Sequence, residues 1–294
     1  MSQRWSVGSV RIDRVVEFEQ PLLPPVALLP EIDEEILARH RDWLEPDLLD
    51  PDTGRLVLSF HSFAIRTPDN LILVDTCSGN DRERPGKPRY HRKSWPYLEN
   101  LAASRIAPEA VDYVLCTHLH VDHVGWNTRL LDGRWVPTFP NARYLFDRRE
   151  WEFWQAEYET ERFTDDPYHE DSILPVIAAG QVDLVSGEHE VDPWVRLEPS
   201  PGHTPGHVCV RIRDGAWEAV MTGDMMHHPL QCAEPALNSC FCVDPGQSRR
   251  TRLAFLERHA DGGTLVLPAH FPTPTGGRVR GVGAGFRFSF ERRG

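Results

Sequence analysis

Long apolar runs are missing from this chain of 294 residues. No stretch approaches the roughly 20 apolar residues that a membrane-spanning helix needs. The first residues, Met1 to Ser6, lack the apolar segment of a secretory signal peptide. We therefore expect a cytoplasmic protein without a membrane partner.

Basic residues are scarce relative to acidic ones. The chain has 32 Lys and Arg against 44 Asp and Glu, a formal net charge of -12. Nucleic-acid-binding proteins depend on basic patches that neutralise phosphates, so we expect no nucleic-acid partner. A Gly-x-Ser-x-Gly nucleophile elbow is also absent, which argues against a serine hydrolase of that type. Since 40% of the residues are hydrophobic, the chain can still form a large core.

Six cysteines are present, but their spacing does not indicate a metal or disulfide framework. A chain of this length without a secretion signal favours free thiols. Cys240 and Cys242 form a Cys-x-Cys pair, yet no second pair accompanies them, so we interpret this pair as structural. Cys116 and Cys209 lie inside apolar, strand-like runs and are expected in the core.

Strand-like and helix-like patterns are interspersed along the chain, which predicts sheets covered by helices. We expect one domain over residues 1–294. A proline-rich stretch at about residues 18–50 predicts an irregular N-terminal extension, apart from a helix over residues 31–44. The predicted strands are residues 7–17, 56–67, 70–75, 142–146, 182–185, 195–198, 208–212, 217–221, 264–267 and 285–290. The further predicted helices are residues 97–104, 147–158, 173–179 and 247–259.

The segment after the apolar run 111–116 carries the clearest chemical signal. Within six residues it contains His118, His120, Asp122 and His123. Neutral imidazole and carboxylate are standard ligands for Zn²⁺ and similar ions.

Three further polar residues also follow strand-like runs, namely His203, Asp224 and His270. Residues at strand ends converge along one edge of a sheet, where loops hold a site on a rigid base. We therefore expect these polar residues to meet at one edge of a sheet, in a position to form one site.

The pattern His-x-His-x-Asp-His, followed by a distant His, Asp and His, resembles the motif of the metallo-β-lactamase-fold hydrolases. The resemblance implies an α/β (α+β) protein, a four-layer αββα sandwich with its site on one edge. It also implies two divalent metal ions, zinc first, although Mn, Co and Fe tolerate the same ligands. The implied ligands are His118, His120 and His203 for the first ion and Asp122, His123 and His270 for the second, with Asp224 bridging.

This ligand set is typical of a catalytic site because each ion keeps an open position for water. Two ions about 3.5–4 Å apart can share one water and lower its pKa to about 7. The predicted reaction is attack of the bridging hydroxide on a carbonyl carbon, while the ions stabilise the oxyanion and the leaving oxygen. Asp122 is thus both a ligand and a catalytic candidate.

Two residues are candidates for supporting the ligands. His207 comes four residues after His203, and we expect it to lie behind the ligands or to be structural. Asp75 resembles the family's supporting acid. It would orient a ligand imidazole or cap a turn, and the sequence favours neither.

Further segments resemble the branch that contains quorum-quenching lactonases and methyl-parathion-hydrolase-like arylesterases. They are residues 139–142 with Phe153 and Trp154, residues 223–231, and residues 269–272 with residues 283–288. This resemblance implies a small, neutral, hydrophobic ester or lactone as substrate. The lactonases usually carry a tyrosine three residues after the bridging aspartate. Here that position is His227, and we hypothesise that its imidazole polarises the substrate or assists the leaving group; the alternative is a surface histidine.

An apolar pocket is expected around this site. Its candidate wall residues are Trp151, Phe153, Trp154 and Phe241, with Trp154 the first choice; the alternative is that these aromatic side chains fill the core. The apolar N-terminal stretch is either a further pocket wall or an interface, so a homodimer is possible.

Other functions share parts of the pattern. A thiolesterase of the glyoxalase II kind would need cations for glutathione, for which Arg249, Arg250 and Arg252 are candidates. An organophosphate triesterase would use the same two ions. A persulfide dioxygenase would hold a single iron with fewer ligands, and a metal-dependent binding protein would be no enzyme at all.

Overall fold

The fold, seen in a computed structural model, is described here for residues 3–160, 167–283 and 285–291. The strands are β1 (Arg4–Val7), β2 (Val10–Leu23), β3 (Leu49–Asp50), β4 (Arg55–Arg66), β5 (Leu71–Val74), β6 (Tyr113–Leu115), β7 (Thr128–Leu131), β8 (Arg134–Pro137), β9 (Arg143–Asp147), β10 (Val182–Val185), β11 (Val195–Pro199), β12 (Val208–Asp214), β13 (Trp217–Met221), β14 (Leu265–Leu267), β15 (Gly277–Val282) and β16 (Gly285–Phe290). The α-helices are α1 (Pro25–Leu28), α2 (Glu34–Leu44), α3 (Tyr97–Ala103), α4 (Arg148–Tyr158), α5 (Leu174–Ala178), α6 (Leu230–Ala233) and α7 (Pro245–His259).

Two large sheets organise these strands. The first has eight strands in the order β1-β2-β4-β5-β6-β9-β10, with β3 paired to β4. The second has six strands in the order β11-β12-β13-β14-β15-β16. The predicted strands 56–67 and 70–75 are present as the antiparallel pair β4 and β5. In each sheet, strands that precede site loops run parallel: β5 beside β6 in the first, β13 beside β14 in the second.

The central strands are apolar on both faces, which explains why both sheets are buried. In β5, Ile72 faces the second sheet, whereas Leu71 and Leu73 belong to the core on the outer side of the first sheet. In β13, Ala219 and Met221 face inward and Val220 faces outward. This alternation follows from the two-residue period of a strand.

Helices cover both outer faces. Tyr97 and Leu101 of α3 and Trp154 of α4 pack on the first sheet. Phe255 and Leu256 of α7 pack on the second. Each fully buried side chain of this kind contributes about 1.5–3 kcal/mol. The layers are thus helix, sheet, sheet and helix, and the predicted four-layer sandwich is confirmed.

The prediction of an irregular segment over residues 18–50 is wrong in most of its length. Strand β2 continues to Leu23 and pairs with β4, and α1 begins at Pro25. The pairing register shifts between Pro21 and Leu23, so the ladder accommodates a residue that has no N–H to donate. Pro25 occupies the first helical turn, where its missing N–H leaves no hydrogen bond unmade.

Two remaining expectations concern the cysteines and membrane-spanning helices. All six cysteines are free, and Cys116 and Cys209 are buried as predicted. Among the described residues, none of the helices is long and apolar enough to cross a membrane.

Candidate metal centre and active site

The loops that follow the central strands meet at one edge of the sandwich. The loop after β6 carries the His-x-His-x-Asp-His segment, and the loop between β11 and β12 carries His203. Asp224 lies in a single 3₁₀ turn after β13, and His270 follows β14. Both sheets therefore contribute to the site, and all seven predicted side chains are brought together in two groups.

The first cluster consists of His118, His120, His203 and Asp224, whose ligand atoms lie within 4.8 Å of one another. Nε2 of His118 lies 3.0 Å from Nδ1 of His120 and 3.2 Å from Nε2 of His203. Nδ1 of His120 lies 2.9 Å from Nε2 of His203. Tetrahedral ligands at the usual Zn–N distance of about 2.0–2.1 Å stand slightly farther apart than this. Three nitrogen lone pairs converge at a spacing that suits one cation.

The second cluster consists of Asp122, His123 and His270. Nε2 of His270 lies 3.7 Å from Oδ2 of Asp122. The carboxylate of Asp224 separates the two clusters. Its Oδ1 lies 3.2 Å from Nε2 of His123 and 3.0 Å from Nε2 of His270, whereas its Oδ2 lies 3.4 Å from Nε2 of His203. Each oxygen of Asp224 thus faces a different cluster.

Several of these atoms are buried without an aligned hydrogen-bond partner, among them Nε2 of His123 and Oδ1 of Asp224. A buried polar atom left without a partner costs about 1–3 kcal/mol. Imidazole nitrogen and carboxylate oxygen are the donors that Zn²⁺ and related divalent ions prefer. The residues present therefore fit two divalent cations.

The outward-facing nitrogens of the ligand imidazoles are held by neighbours. Nδ1 of His123 donates to Oδ2 of Asp75 over 2.9 Å, and Nδ1 of His270 donates to the Ser59 carbonyl over 3.1 Å. Nδ1 of His203 lies 3.8 Å from Sγ of Cys242. Such contacts fix the tautomer and direct the free lone pair toward the metal position.

Asp75 does more than orient one imidazole. Its Oδ1 accepts from the Thr117 backbone N–H at 2.7 Å, and its Oδ2 accepts from the Thr117 hydroxyl at 2.9 Å. Its backbone has φ 56°, a conformation that Asp tolerates better than most residues. Asp75 therefore connects β5 to the first residues of the histidine loop.

His207 lies directly behind Asp224, as one of the two predicted alternatives requires. Its Nε2 accepts from the Asp224 backbone N–H at 3.0 Å, and its Nδ1 contacts the Ser200 hydroxyl at 2.7 Å. Burial lowers the pKa of His207 to about 3, so the ring stays neutral and keeps its acceptor. Gly223 is required here because a Cβ would approach Nε2 of His207 to 2.7 Å.

The two clusters differ in protonation. Burial holds the pKa of His118 and of His203 well below 6.5 and that of His120 at about 4. Burial is the largest effect on His123 and His270 as well and opposes their protonation, but the nearby carboxylates together outweigh it and raise both pKa values. Asp224 acts on both residues, and Asp122 adds to the rise in the pKa of His270. Asp75 adds to the rise in the pKa of His123.

A cavity of about 540 Å³ opens above the clusters. His120, Asp122, Asp224, His227 and His270 form its floor. Its wall is mainly apolar and includes Leu22, Leu28, Phe60, Phe153, Trp154 and Phe241. The N-terminal segment thus contributes to the wall, and three of the four predicted pocket aromatics line the cavity.

Trp151 does not line this cavity, so its assignment to the pocket is corrected. With 3.6 residues per turn, the helix α4 directs residues 153, 154 and 157 to the cavity side and turns residue 151 away from them. Trp151 instead stacks on His169, with ring centroids 5.6 Å apart.

The three arginines considered for glutathione binding, Arg249, Arg250 and Arg252, do not line this cavity either. Arg249 pairs with Glu31, and the buried Arg252 donates to the Leu237 carbonyl and to Asn238. Arg250 is exposed and donates to Gln247 of its own helix. The cations that line the cavity are Lys87 and Arg89.

Two further contributors to the site carry no sequence motif and were not predicted. Glu150 accepts hydrogen bonds from Leu119 N–H, Gly206 N–H and Trp154 Nε1–H, so one buried carboxylate joins both histidine loops to the pocket wall. Tyr90 lines the cavity, and its hydroxyl lies 3.4 Å from Oδ2 of Asp122. One is a helix residue and the other lies in an irregular loop, so no local pattern marks either of them.

With this geometry established, a family model described as the metallo-beta-lactamase superfamily matches residues 57–283. The chain belongs to the metallo-beta-lactamase superfamily. The match covers both clusters of the site, and the resemblance inferred from the motif is confirmed.

Among curated relatives, this superfamily member is similar to an N-acyl homoserine lactonase from Bacillus cereus. The two are 33% identical over 105 residues, which is 36% of this chain and 34% of the relative. It is also similar to the N-acyl homoserine lactonase AttM from Azorhizobium caulinodans, at 29% identity over 170 residues, 51% of this chain and 58% of the relative. The chain therefore spans about a third of the length of the Bacillus relative and less than two thirds of AttM.

Solved structures of the superfamily share the fold over nearly the whole chain. The hydrolase AbOPH superposes with a TM-score of 0.81 at 24% identity, covering 100% of this chain and 98% of that one. AidC, a dizinc quorum-quenching lactonase with a bound product, gives 0.78 at 17% identity, covering 99% and 98%.

Proposed function

We propose that this protein is a dinuclear metal-dependent hydrolase that cleaves a small, neutral, hydrophobic ester or lactone. One observation supports this most directly: two ligand clusters form the floor of a 540 Å³ cavity whose wall is mainly apolar. Its similarity to lactonases agrees with this proposal.

The ligand assignment follows from the clusters. His118, His120 and His203 hold one cation, and Asp122, His123 and His270 hold the other. Asp224 serves both, since each of its oxygens faces one cluster. Bound divalent cations, with zinc the first choice, supply an activated water as nucleophile and neutralise negative charge that develops on oxygen.

The composition of the cavity wall supports an apolar substrate. Leu22, Phe60, Phe153 and Trp154 offer apolar surface for an acyl chain or an aromatic leaving group. Burying each methylene of such a group contributes about 0.8 kcal/mol. Arg249 and Arg252, which would bind a glutathione carboxylate, lie away from the cavity. Lys87 and Arg89 are the cations that do line it, so the preference for an ester or lactone over a glutathione thioester rests on the mainly apolar wall.

His227 is the chain's own candidate for assisting the reaction. It lines the cavity, with Nε2 3.1 Å from Oδ2 of Asp224, and neither ring nitrogen has an aligned hydrogen-bond partner. Burial lowers its pKa, although Asp224 opposes this, so the ring is neutral near pH 7. A neutral imidazole carries one N–H, which it donates to the substrate or to the departing oxygen.

A substrate panel tests the proposed function. Lactones of graded chain length, p-nitrophenyl esters, a phosphotriester, a β-lactam and a glutathione thioester are assayed with and without chelator, and metal content per chain is measured. We expect about two metals per chain and the highest kcat/KM on an apolar ester or lactone, lost with chelator and restored by Zn²⁺. A single iron per chain with oxygen consumption, or a preference for the thioester, would contradict the proposal.

The role of His227 is tested by His227→Ala against His228→Ala. His228 is the adjacent buried histidine, and its Nε2 contacts the Leu48 carbonyl rather than the cavity. We expect kcat to fall about 100-fold in His227→Ala, within the usual range for a positioned proton donor, and to stay near wild type in His228→Ala. Unchanged turnover in His227→Ala would remove the hypothesis.

A further inference from the structure

Tyr90 places a phenol in the same cavity as His227. It belongs to the irregular segment 75–96 between β5 and α3, in a turn where its N–H donates to the Lys87 carbonyl at 2.9 Å. Only 7% of the residue is exposed. Because Tyr90 does not follow a strand end, other contacts must hold its side chain in place.

That position is held by buried arginines of the same segment, which pair with Asp171 in a distant part of the chain. Arg84 makes two hydrogen bonds to the carboxylate of Asp171, at 2.7 and 2.8 Å. Arg82 donates to the Asp171 carbonyl at 2.9 Å and to the Thr128 carbonyl at 2.7 Å. Because bidentate arginine pairs are geometrically specific, the segment has a defined path over the cavity.

The ring of Tyr90 is packed against the site itself. Its centroid lies 6.0 Å from that of Phe60 in an edge-on arrangement, and Phe60 lies 4.7 Å from the ring of His270. The aromatic contacts leave the hydroxyl as the polar end of the side chain. The phenol is thereby aimed at the second cluster.

The contact that the hydroxyl makes there is weak. Its oxygen lies 3.4 Å from Oδ2 of Asp122, beyond the 2.5–3.0 Å typical of an O–H···O hydrogen bond. A tyrosine hydroxyl has an ordinary pKa of about 10, so the phenol carries its proton near neutral pH. The hydroxyl is therefore an uncharged donor whose contact with Asp122 is long, so it can donate to a better-placed acceptor.

We propose that Tyr90 is a catalytic residue that donates a hydrogen bond to the acyl oxygen of the substrate. This inference rests on the proposed ester or lactone hydrolysis. When water adds to the carbonyl carbon, the C=O π bond breaks and its electron pair goes to the acyl oxygen. The Tyr90 O–H then donates a stronger hydrogen bond without transferring its proton. When the C–O bond to the leaving group breaks, that pair re-forms the carbonyl. The leaving oxygen departs with the C–O bonding pair and takes up the proton that the attacking water has lost.

The test is Tyr90→Phe, which removes only the hydroxyl, on a series of phenyl esters with leaving groups of graded acidity. We expect kcat to fall about 100-fold, as for loss of one oxyanion donor, and by the same factor across the series, with KM raised by no more than several-fold. Metal content and thermal midpoint should match wild type. An unreactive amide analogue, titrated by tryptophan fluorescence, should bind several-fold more weakly.

Tyr97→Phe is the matched control, because its hydroxyl is also buried but bonds to Ser62 outside the cavity. Three results would overturn the proposal: Tyr90→Phe activity within about twofold of wild type, a loss of activity that tracks a loss of metal, or a loss that grows with poorer leaving groups. An inactive wild type on every ester and lactone would instead refute the proposed function. In that case equal binding of the amide analogue by wild type and Tyr90→Phe would still count against Tyr90.

Discussion

The two clusters of the metal centre reach similar geometry with opposite electrostatics. Apart from the shared Asp224, the first cluster is built from three imidazoles, and burial keeps them unprotonated. The second cluster contains Asp122, and His123 has the Asp75 carboxylate behind it. A buried carboxylate stabilises positive charge beside it. It therefore favours protonation of a neighbouring imidazole as well as binding of a metal cation. The first cluster is therefore ready for a metal at any ordinary pH, whereas the second must exchange protons for its metal.

The largest effect is expected where the two clusters meet. In Asp224→Ala each cluster loses an oxygen that lies 3.0–3.4 Å from its histidines. We expect metal content to fall below one per chain and kcat/KM to fall by at least about 1,000-fold, more than the 10–100-fold that loss of a supporting group costs. Elemental analysis and steady-state kinetics measure both. Asp214→Ala, which removes a carboxylate at the end of β12 that bonds to Ser9, is the control and should keep two metals. Two metals retained in Asp224→Ala would disprove its shared role.

Removing one ligand from each cluster separates them. His203→Ala removes a first-cluster ligand and His270→Ala a second-cluster ligand, while His189→Ala in a loop before β11 serves as the control. We expect about one metal per chain in each ligand variant and two in the control, with kcat/KM reduced on the order of 100-fold or more. The Co²⁺ absorption spectra should differ, because the remaining ion has three imidazoles in one variant and a carboxylate-rich set in the other. Identical spectra would mean that the clusters are not independent.

A milder change tests the carboxylate behind the second cluster. Asp75→Asn weakens the acceptor for His123 Nδ1 and for Thr117 without changing the side-chain size. We expect the affinity of the second cluster for its metal to fall about 10–100-fold, measured by competition with a chelator. Asp112→Asn is a matched control, since Asp112 also bonds a backbone N–H, that of Leu71, at the opposite end of β5. Equal metal affinity in the two variants would reduce Asp75 to a turn-capping residue.

The two clusters also show why some of the site could be predicted from sequence. Most of their ligands follow short apolar runs, among them β6 and β14, and such runs are visible in the sequence. A strand end fixes where the next side chain goes, so His118 and His270, although far apart along the chain, could be assigned to one site from the sequence alone. The outer helices followed from their spacing in the same way.

The cavity wall and the supporting groups could not be predicted in this manner. Tyr90 owes its place to Arg84 and Asp171, a pairing between distant loops that no local pattern records. Trp151 and Trp154 are equally aromatic, and only the orientation of α4 decides which one meets the cavity. Pro21 indicates a break, yet a register shift in the tertiary structure accommodates it. Tertiary contacts outweigh local preference at each of these positions.

Acidification should separate the clusters without any mutation. Asp224 raises the pKa of His123 and His270 above 6.5, so protons compete with the second-cluster metal as soon as the pH falls through that range. In the first cluster burial lowers the pKa of His120 to about 4 and holds those of His118 and His203 well below 6.5, so its metal faces no such competition until much lower pH. Dialysis at graded pH should therefore give a plateau near one metal per chain between about pH 6 and pH 4. At that plateau, His270→Ala should hold as much metal as wild type, whereas His203→Ala should hold almost none. Loss of both metals in a single step would contradict this prediction. It would show that binding of each ion depends on the other more strongly than on the protonation of its own histidines.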